Sequence, residues 1–91
     1  MAWAVEFTEG ALKDLRRLDR PVAERITRFL RDRIATEESP RRLGRKLEGS
    51  RLGEFWKYRV GDWRLICRID DGRVLVLVLR IGHRRSVYRS T

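Results

Sequence analysis

From Phe55 to Arg68 apolar and polar side chains alternate with a period of two, the pattern of strands that bury one face. Gly61-Asp62 breaks the run in the middle, a dipeptide suited to a two-residue hairpin turn that needs positive φ. In that register Val60 faces Trp63, Arg59 faces Arg64, Tyr58 faces Leu65 and Lys57 faces Ile66. One face of the hairpin collects Trp56, Tyr58, Val60, Trp63, Leu65, Cys67 and Ile69, and is a core face. The other collects Lys57, Arg59, Arg64 and Arg68 around Phe55 and Ile66. Like charges directly opposite each other destabilise a sheet. Four cations on one small patch therefore call for an anionic partner.

The rest of the chain supplies what such a hairpin needs for cover. Trp3, Val5 and Phe7 share a face in a short first strand, and Thr8 can cap a helix beginning at Glu9. Ala11, Leu12, Leu15 and Leu18 follow at helical spacing. Asp19-Arg20-Pro21 interrupts them, and a second helix starts at Pro21, with Val22, Ile26, Phe29, Leu30 and Ile34 as its apolar stripe. Arg25, Arg28, Arg31 and Asp32 face water on this reading. Ser39-Pro40 ends the helix. Residues 41–53 then form a basic surface crossing pinned by Leu43, Leu47 and Leu52.

Asp70-Asp71-Gly72 marks a second turn, and Arg73 to Ile81 is apolar on both faces, as a central strand would be. Two registers are open. A two-residue Asp71-Gly72 loop puts Leu75, Leu77 and Leu79 with the basic face, whereas a three-residue loop puts Val74, Val76, Val78 and Arg80 there. The order is β-α-α-β-β-β, an α+β domain spanning residues 1–91. It predicts a small antiparallel sheet with the N-terminal helix hairpin packed on one face and the cations mostly on the other.

Charge sharpens this picture. The net charge of +9 resides entirely in residues 41–91, because residues 1–40 balance eight basic against eight acidic side chains. Such asymmetry fits a surface that meets phosphates, or an acidic protein partner. No apolar run approaches the ~20 residues of a membrane span, and the N-terminus lacks the pattern of an export signal. The lone cysteine, Cys67, reads as a small core residue, consistent with a reducing cytoplasm.

One histidine and one cysteine cannot supply a zinc site, and neither a phosphate-cradling glycine loop nor a nucleophilic triad is present. No cofactor is implied. The sequence does offer cations, an imidazole and a phenol at sheet level: Lys57, Arg59, Arg64, His83, Arg84 and Tyr88. That set suits cleavage of RNA by its own 2′-hydroxyl. Arginines can stabilise the phosphorane, and lysine, histidine or tyrosine can move the two protons. Clustered like charge is one way to depress a lysine pKa, and Lys57 sits among arginines. The residues alone leave plainer roles open: solubilising charge for Arg59 and Arg64, packing for His83 and Tyr88. Arg45, Lys46, Arg59 and Arg68 are candidates for holding the nucleic acid.

The hairpin WKYRVGDWRLI and the terminal IGHRRSVY resemble the RelE/ParE toxin superfamily of bacterial toxin–antitoxin modules. The resemblance runs from Trp3 to Tyr88, and its most specific parts are Tyr58 to Arg64 and Gly82 to Tyr88. It is nearer to the RelE branch, whose members cut messenger RNA in the ribosomal A site. The resemblance implies that Lys57 acts near the 2′-hydroxyl as base or stabiliser and that Arg64 stabilises the phosphate. It further implies that Arg84 stands at the leaving group and that Tyr88 stacks on a base and orients the nucleophile. Phe55 stands where well-known members carry a second lysine, and His83 stands where some have lysine and can take over part of that work. The implied partners are an acidic RelB-like antitoxin and mRNA on the ribosome, with 16S rRNA contacts and no membrane. The ParE branch shares the fold and poisons DNA gyrase, and a non-catalytic RNA-binding module would need the same patch without the proton-transfer groups. The joint presence of Lys57, Arg64, Arg84 and Tyr88 favours the nuclease.

Overall fold

The computed structural model describes residues 2–47 and 55–83. Arg84, Tyr88 and Leu52 lie outside them. The Trp3–Phe7 alternation becomes strand β1 (Ala4–Phe7). Thr8 closes it and opens helix α1 (Glu9–Arg17), its Oγ1 accepting the Ala11 N–H at 3.1 Å. Helix α2 (Arg20–Phe29) begins one residue ahead of Pro21 and runs on into a π-helical turn over Leu30–Ile34. There the Ala35 N–H reaches back to the Leu30 carbonyl at 2.8 Å, and the Ala35 carbonyl accepts the Trp3 N–H at 2.8 Å. That bond ties the helix end to the start of β1. Ile26, Leu30 and Ile34 are fully buried, so the stripe predicted from spacing is the one that packs.

A 3-10 turn (Pro40–Leu43) leads into β2 (Arg45–Lys46), followed by β3 (Phe55–Val60), β4 (Trp63–Asp70) and β5 (Leu75–His83). The sheet order is β1-β5-β4-β3-β2. The hairpin register is the predicted one throughout: Val60 pairs with Trp63, Arg59 with Arg64, Tyr58 with Leu65 and Lys57 with Ile66. Gly61 takes φ +61° while Asp62 stays at negative φ. A Gly-first turn of that kind matches the right-handed twist of the flanking strands. Tyr58, Val60, Leu65, Cys67 and Ile69 join the helix stripes in one core, with Trp56 and Trp63 packed at its margin.

Two features amend the expected all-antiparallel sheet. The basic crossing contributes a strand of its own, since Arg45 pairs with Lys57 and Lys46 with Trp56. And β1 runs parallel to β5, with Val5 opposite Val76, so the sheet is mixed. Parallel neighbours need a long crossover. The helix hairpin begins that crossover, so β1 lies beside β5, away from the hairpin that comes first in sequence.

The second turn also differs. Asp70 pairs with Leu75, leaving a four-residue loop, and the positive φ (+52°) falls on Val74 and not on Gly72. Leu75 and Leu77 lie on the Arg68 face, while Val76 and Val78 enter the core. A bulge then shifts the register: Cys67 pairs with Val78 but Ile66 with Arg80, leaving Leu79 unopposed. Strict alternation from Val76 and Val78 would drive Arg80 inward opposite Leu65. The extra residue changes the phase, so that Ile81 pairs with Leu65 and is buried instead.

Candidate functional site

The β3–β4 hairpin and β2 bring four of the predicted cations to one cleft. Arg45, Lys57, Arg59 and Arg64 line a cavity of about 350 Å³ floored by Tyr58 and Gly44. Register accounts for the grouping. Arg45 lies directly opposite Lys57, and Arg59 directly opposite Arg64, so the four side chains share the face turned away from the helices. Arg64 donates from Nη1 to the carbonyls of Gly61 and Trp63, both at 3.2 Å, which holds its guanidinium against the turn.

The floor is rigid for identifiable reasons. Tyr58 is 1 % exposed, and its hydroxyl donates to the Pro40 carbonyl at 2.8 Å. Burial pushes that phenol well above its ordinary pKa, so Tyr58 stays neutral and anchors the crossing. Its ring meets Phe29 of α2 edge-on at 6.1 Å. Gly44 lies so close that a Cβ there would come within 2.8 Å of the Tyr58 ring and 3.0 Å of the Lys57 carbonyl. Only glycine lets the crossing press onto β3 at this point.

The remaining candidates are placed differently. Lys46 pairs with Trp56 and therefore belongs to the opposite face of the sheet from Lys57. With Arg68 and Arg41 it lines another cavity, of about 490 Å³, which also carries Asp70 and Asp71. Arg41 closes that cavity by a bidentate pair with Asp71 (2.8 and 2.7 Å), with its guanidinium 5.6 Å over the Trp56 ring. The Arg41 hydrogen bonds hold the Asp71 carboxyl below its usual range.

His83 departs from the expected convergence with Lys57 and Arg64. It pairs with Trp63 across β4–β5, and the two rings meet edge-on at 5.7 Å. His83 thus shares the Trp63 face. The Leu79 bulge is the cause, since unbroken alternation would have put residue 83 on the Arg64 face. Arg84 and Tyr88 lie outside the described residues. Cys67 is completely buried and its thiol pKa is pushed far up by desolvation, as a packing residue's would be.

Sequence reasoning missed a set of cations on α2 and the π-helical turn that continues it. Arg25, Arg28 and Arg33 line a cleft of about 340 Å³ together with Arg59 and Gly61. Their helical spacing was visible, but it is indistinguishable from that of a solvated helix face until the hairpin turn is laid against it. The role of Asp14 was equally hidden. Its carboxylate accepts from the backbone N–H of Ile81 at 2.9 Å and from Arg80 at 2.9 and 3.3 Å. Thr8 Oγ1 donates to the Leu79 carbonyl at 2.9 Å. Beyond the end of β1, these two side chains satisfy the open edge of β5. Burial alone would raise the Asp14 pKa, but the hydrogen bonds from Arg80 and Ile81, with the charges of Arg80 and Arg17, outweigh it and lower it.

Comparison with known proteins gives this geometry its context. Residues 5–88 match the family described as ParE toxin of type II toxin-antitoxin system, parDE. Toxin RelG of Mycobacterium tuberculosis is 35% identical over 89 residues, covering 98% of this chain and 99% of that protein. The mRNA interferase toxin RelE of Escherichia coli is 34% identical over 84 residues, covering 92% and 85%. Among solved structures, the RelBE2 toxin–antitoxin complex of Mycobacterium tuberculosis contains a chain with TM-score 0.82 at 31% identity, covering 92% of this chain and 93% of that one. The intact Escherichia coli RelBE complex gives 0.72 at 31% identity, covering 90% and 96%. With matches of this extent to both the ParE family and the RelE and RelG toxins, the chain belongs to the RelE/ParE superfamily of type II toxins.

Proposed function

We propose that this toxin is an endoribonuclease that cuts messenger RNA on the ribosome, with the Arg45–Lys57–Arg59–Arg64 cleft as the described part of its active site. The observation that carries the reading is the convergence of four cations from three strands on one cleft, in a chain similar to a protein named an mRNA interferase. In this reaction the 2′-oxygen of one nucleotide attacks the adjacent phosphorus, and its proton passes to a base. The P–O5′ bond breaks as the cyclic phosphate forms, and a second proton goes to the departing 5′-oxygen. Lys57 is the proton acceptor or the stabiliser of the nucleophile. Arg64, with Arg59 beside it, meets the charge that builds on the phosphorane oxygens. Arg45 holds the strand at the cleft's outer edge. Family resemblance adds Arg84 at the leaving group and Tyr88 stacked on a base.

The solved relatives are described as toxin–antitoxin complexes with RelB. The net charge of +9 gives the same kind of partner a reason to bind: an acidic antitoxin that neutralises the cleft until it is removed. Translated mRNA places the site of action in the cytoplasm. Among the described residues no helix is long and apolar enough to cross a membrane.

The family description by ParE favours one other reading, a gyrase poison on the same fold. Purified protein, ribosomes and a translated message, read by primer extension beside a gyrase cleavage assay, separate the two. New 5′ ends that appear only with toxin and ribosomes are expected. Intact message together with trapped gyrase–DNA breaks would replace this reading with the second.

A further inference from the structure

Among the described residues six arginines make ion pairs with carboxylates: Arg20 with Glu24, Arg31 with Asp32, Arg41 with Asp71, Arg42 with Glu37, Arg73 with Asp70 and Arg80 with Asp14. Arg25, Arg28, Arg33 and Arg59 make none with a carboxylate among the described residues, and all four line the same cleft of about 340 Å³ between α2 and the hairpin turn. Its one carboxylate, Asp32, is already engaged by Arg31 at 2.9 Å. Asp32 also attracts Arg28, so four cations face one shared carboxylate and the cleft is net positive. Gly61 helps to build it. Arg25 Nη1 lies 2.9 Å from where a Cβ on Gly61 would stand, so the bare turn is what lets the guanidinium settle there. Arg59 lines both this cleft and the Lys57 cleft, so the two meet at that residue.

We propose that the Arg25–Arg28–Arg33 cleft is a second phosphate site, which holds the backbone of the RNA strand beyond the bond being cut. The proposal builds on the reading that RNA occupies the Lys57 cleft. Arg59 gives the reason for preferring RNA to an acidic protein: a strand with a phosphate on every nucleotide, bound at Lys57 and Arg64, must continue past Arg59 in one direction. Guanidinium forks suit phosphate oxygens, and a groove built of several of them reads backbone and not sequence. The site would therefore anchor the strand without setting which codon is cut.

The test is the salt dependence of binding of a fluorescein-labelled twelve-nucleotide uridine RNA to the isolated chain. The parent is compared with Arg28→Ala/Arg33→Ala and with Arg20→Ala/Arg31→Ala, which removes two paired arginines from the same helical segment. Losing two phosphate contacts to a single strand should flatten the slope of log K against log salt by ~1.4. That flattening is expected for the first variant and not for the second, with melting temperatures of both close to the parent's. Equal slopes for parent and Arg28→Ala/Arg33→Ala would overturn the proposal, as would equal flattening in both variants. So would unchanged RNA binding in a variant that has lost affinity for a poly-glutamate peptide, which would make the cleft a protein site. Because the readout is binding, a parent that bound RNA with the expected slope yet cut nothing would defeat the cleavage reading and leave this one standing.

Discussion

Leu65 and Arg64 are adjacent in the chain and lie on opposite faces of β4, and the two faces answer to different demands. Leu65 is completely buried among Tyr58, Ile26 and Ile81 in the helix-side core. Arg64 stands opposite Arg59 across the hairpin, a like-charge pair that the fold gains nothing from keeping. One face is arranged for stability. The other spends stability, and what it holds in return is a cleft that attracts polyanions. Burial and cross-strand pairing, read together, separate residues the fold needs from residues it does not, even where they alternate one by one.

Truncating neighbouring residues on the two faces should have the most unequal effects. Leu65→Ala should cost about 2–5 kcal/mol, the range for deleting a buried branched side chain. Arg64→Ala should leave stability within ~0.5 kcal/mol, or raise it slightly. Urea denaturation of the two variants checks this, and similar losses would show that the faces are not divided as described.

A smaller effect is expected at the β5 edge. Asp14→Ala orphans the Ile81 N–H and leaves Arg80 without its partner, which should cost about 2–3 kcal/mol at pH 7. The sign of its pH dependence follows from the lowered Asp14 pKa. The carboxylate's contribution is complete above the unfolded-state value of about 3.9 and is lost as pH falls through the lower folded value. Denaturation curves of parent and variant should therefore differ most near neutrality and converge in acid. A difference that persisted below both values would mean that the ionised form is not what matters.

The smallest effect concerns the β4–β5 turn. Val74 holds φ +52°, a conformation that costs a β-branched residue roughly 1–2 kcal/mol. Val74→Gly should relieve it and stabilise the fold by at most ~1 kcal/mol, because glycine loses more backbone entropy on folding. A fall in melting temperature would show that the Val74 side chain contributes more by packing than its backbone costs.

What the sequence made legible follows the range of each interaction. The hairpin register was readable in full because a two-residue turn and strict alternation fix it locally. So were the two helices, the Thr8 cap and the core role of Cys67. The parallel pairing of β1 with β5 was not, because nothing local to Ala4–Phe7 says which strand it will join. The bulge at Leu79 left one trace, Arg80 falling where alternation demands a core residue, and that misfit is also what moves His83 to the Trp63 face. Three of the four cations in the Lys57 cleft were legible. Lys57, Arg59 and Arg64 follow from the hairpin alone, whereas the placement of Arg45 needed β2 to form. The separate cleft of Arg25, Arg28 and Arg33 needed a helical segment from the electrically neutral half of the chain to lie against the turn.

An active site and a merely adhesive cationic surface respond differently to the loss of one arginine. Single-turnover cleavage of ribosome-bound message by the parent, Arg64→Ala and Arg73→Ala, alongside equilibrium binding to the same ribosomes, distinguishes them most directly. Arg73 is an exposed cation paired with Asp70 outside the cleft, so its loss should change neither quantity. For Arg64→Ala the cleavage rate should fall by at least ~100-fold, the scale of removing one charge-stabilising donor from a transition state, while affinity falls far less. Modest losses of equal size in rate and affinity would contradict the account and make this face a binding surface.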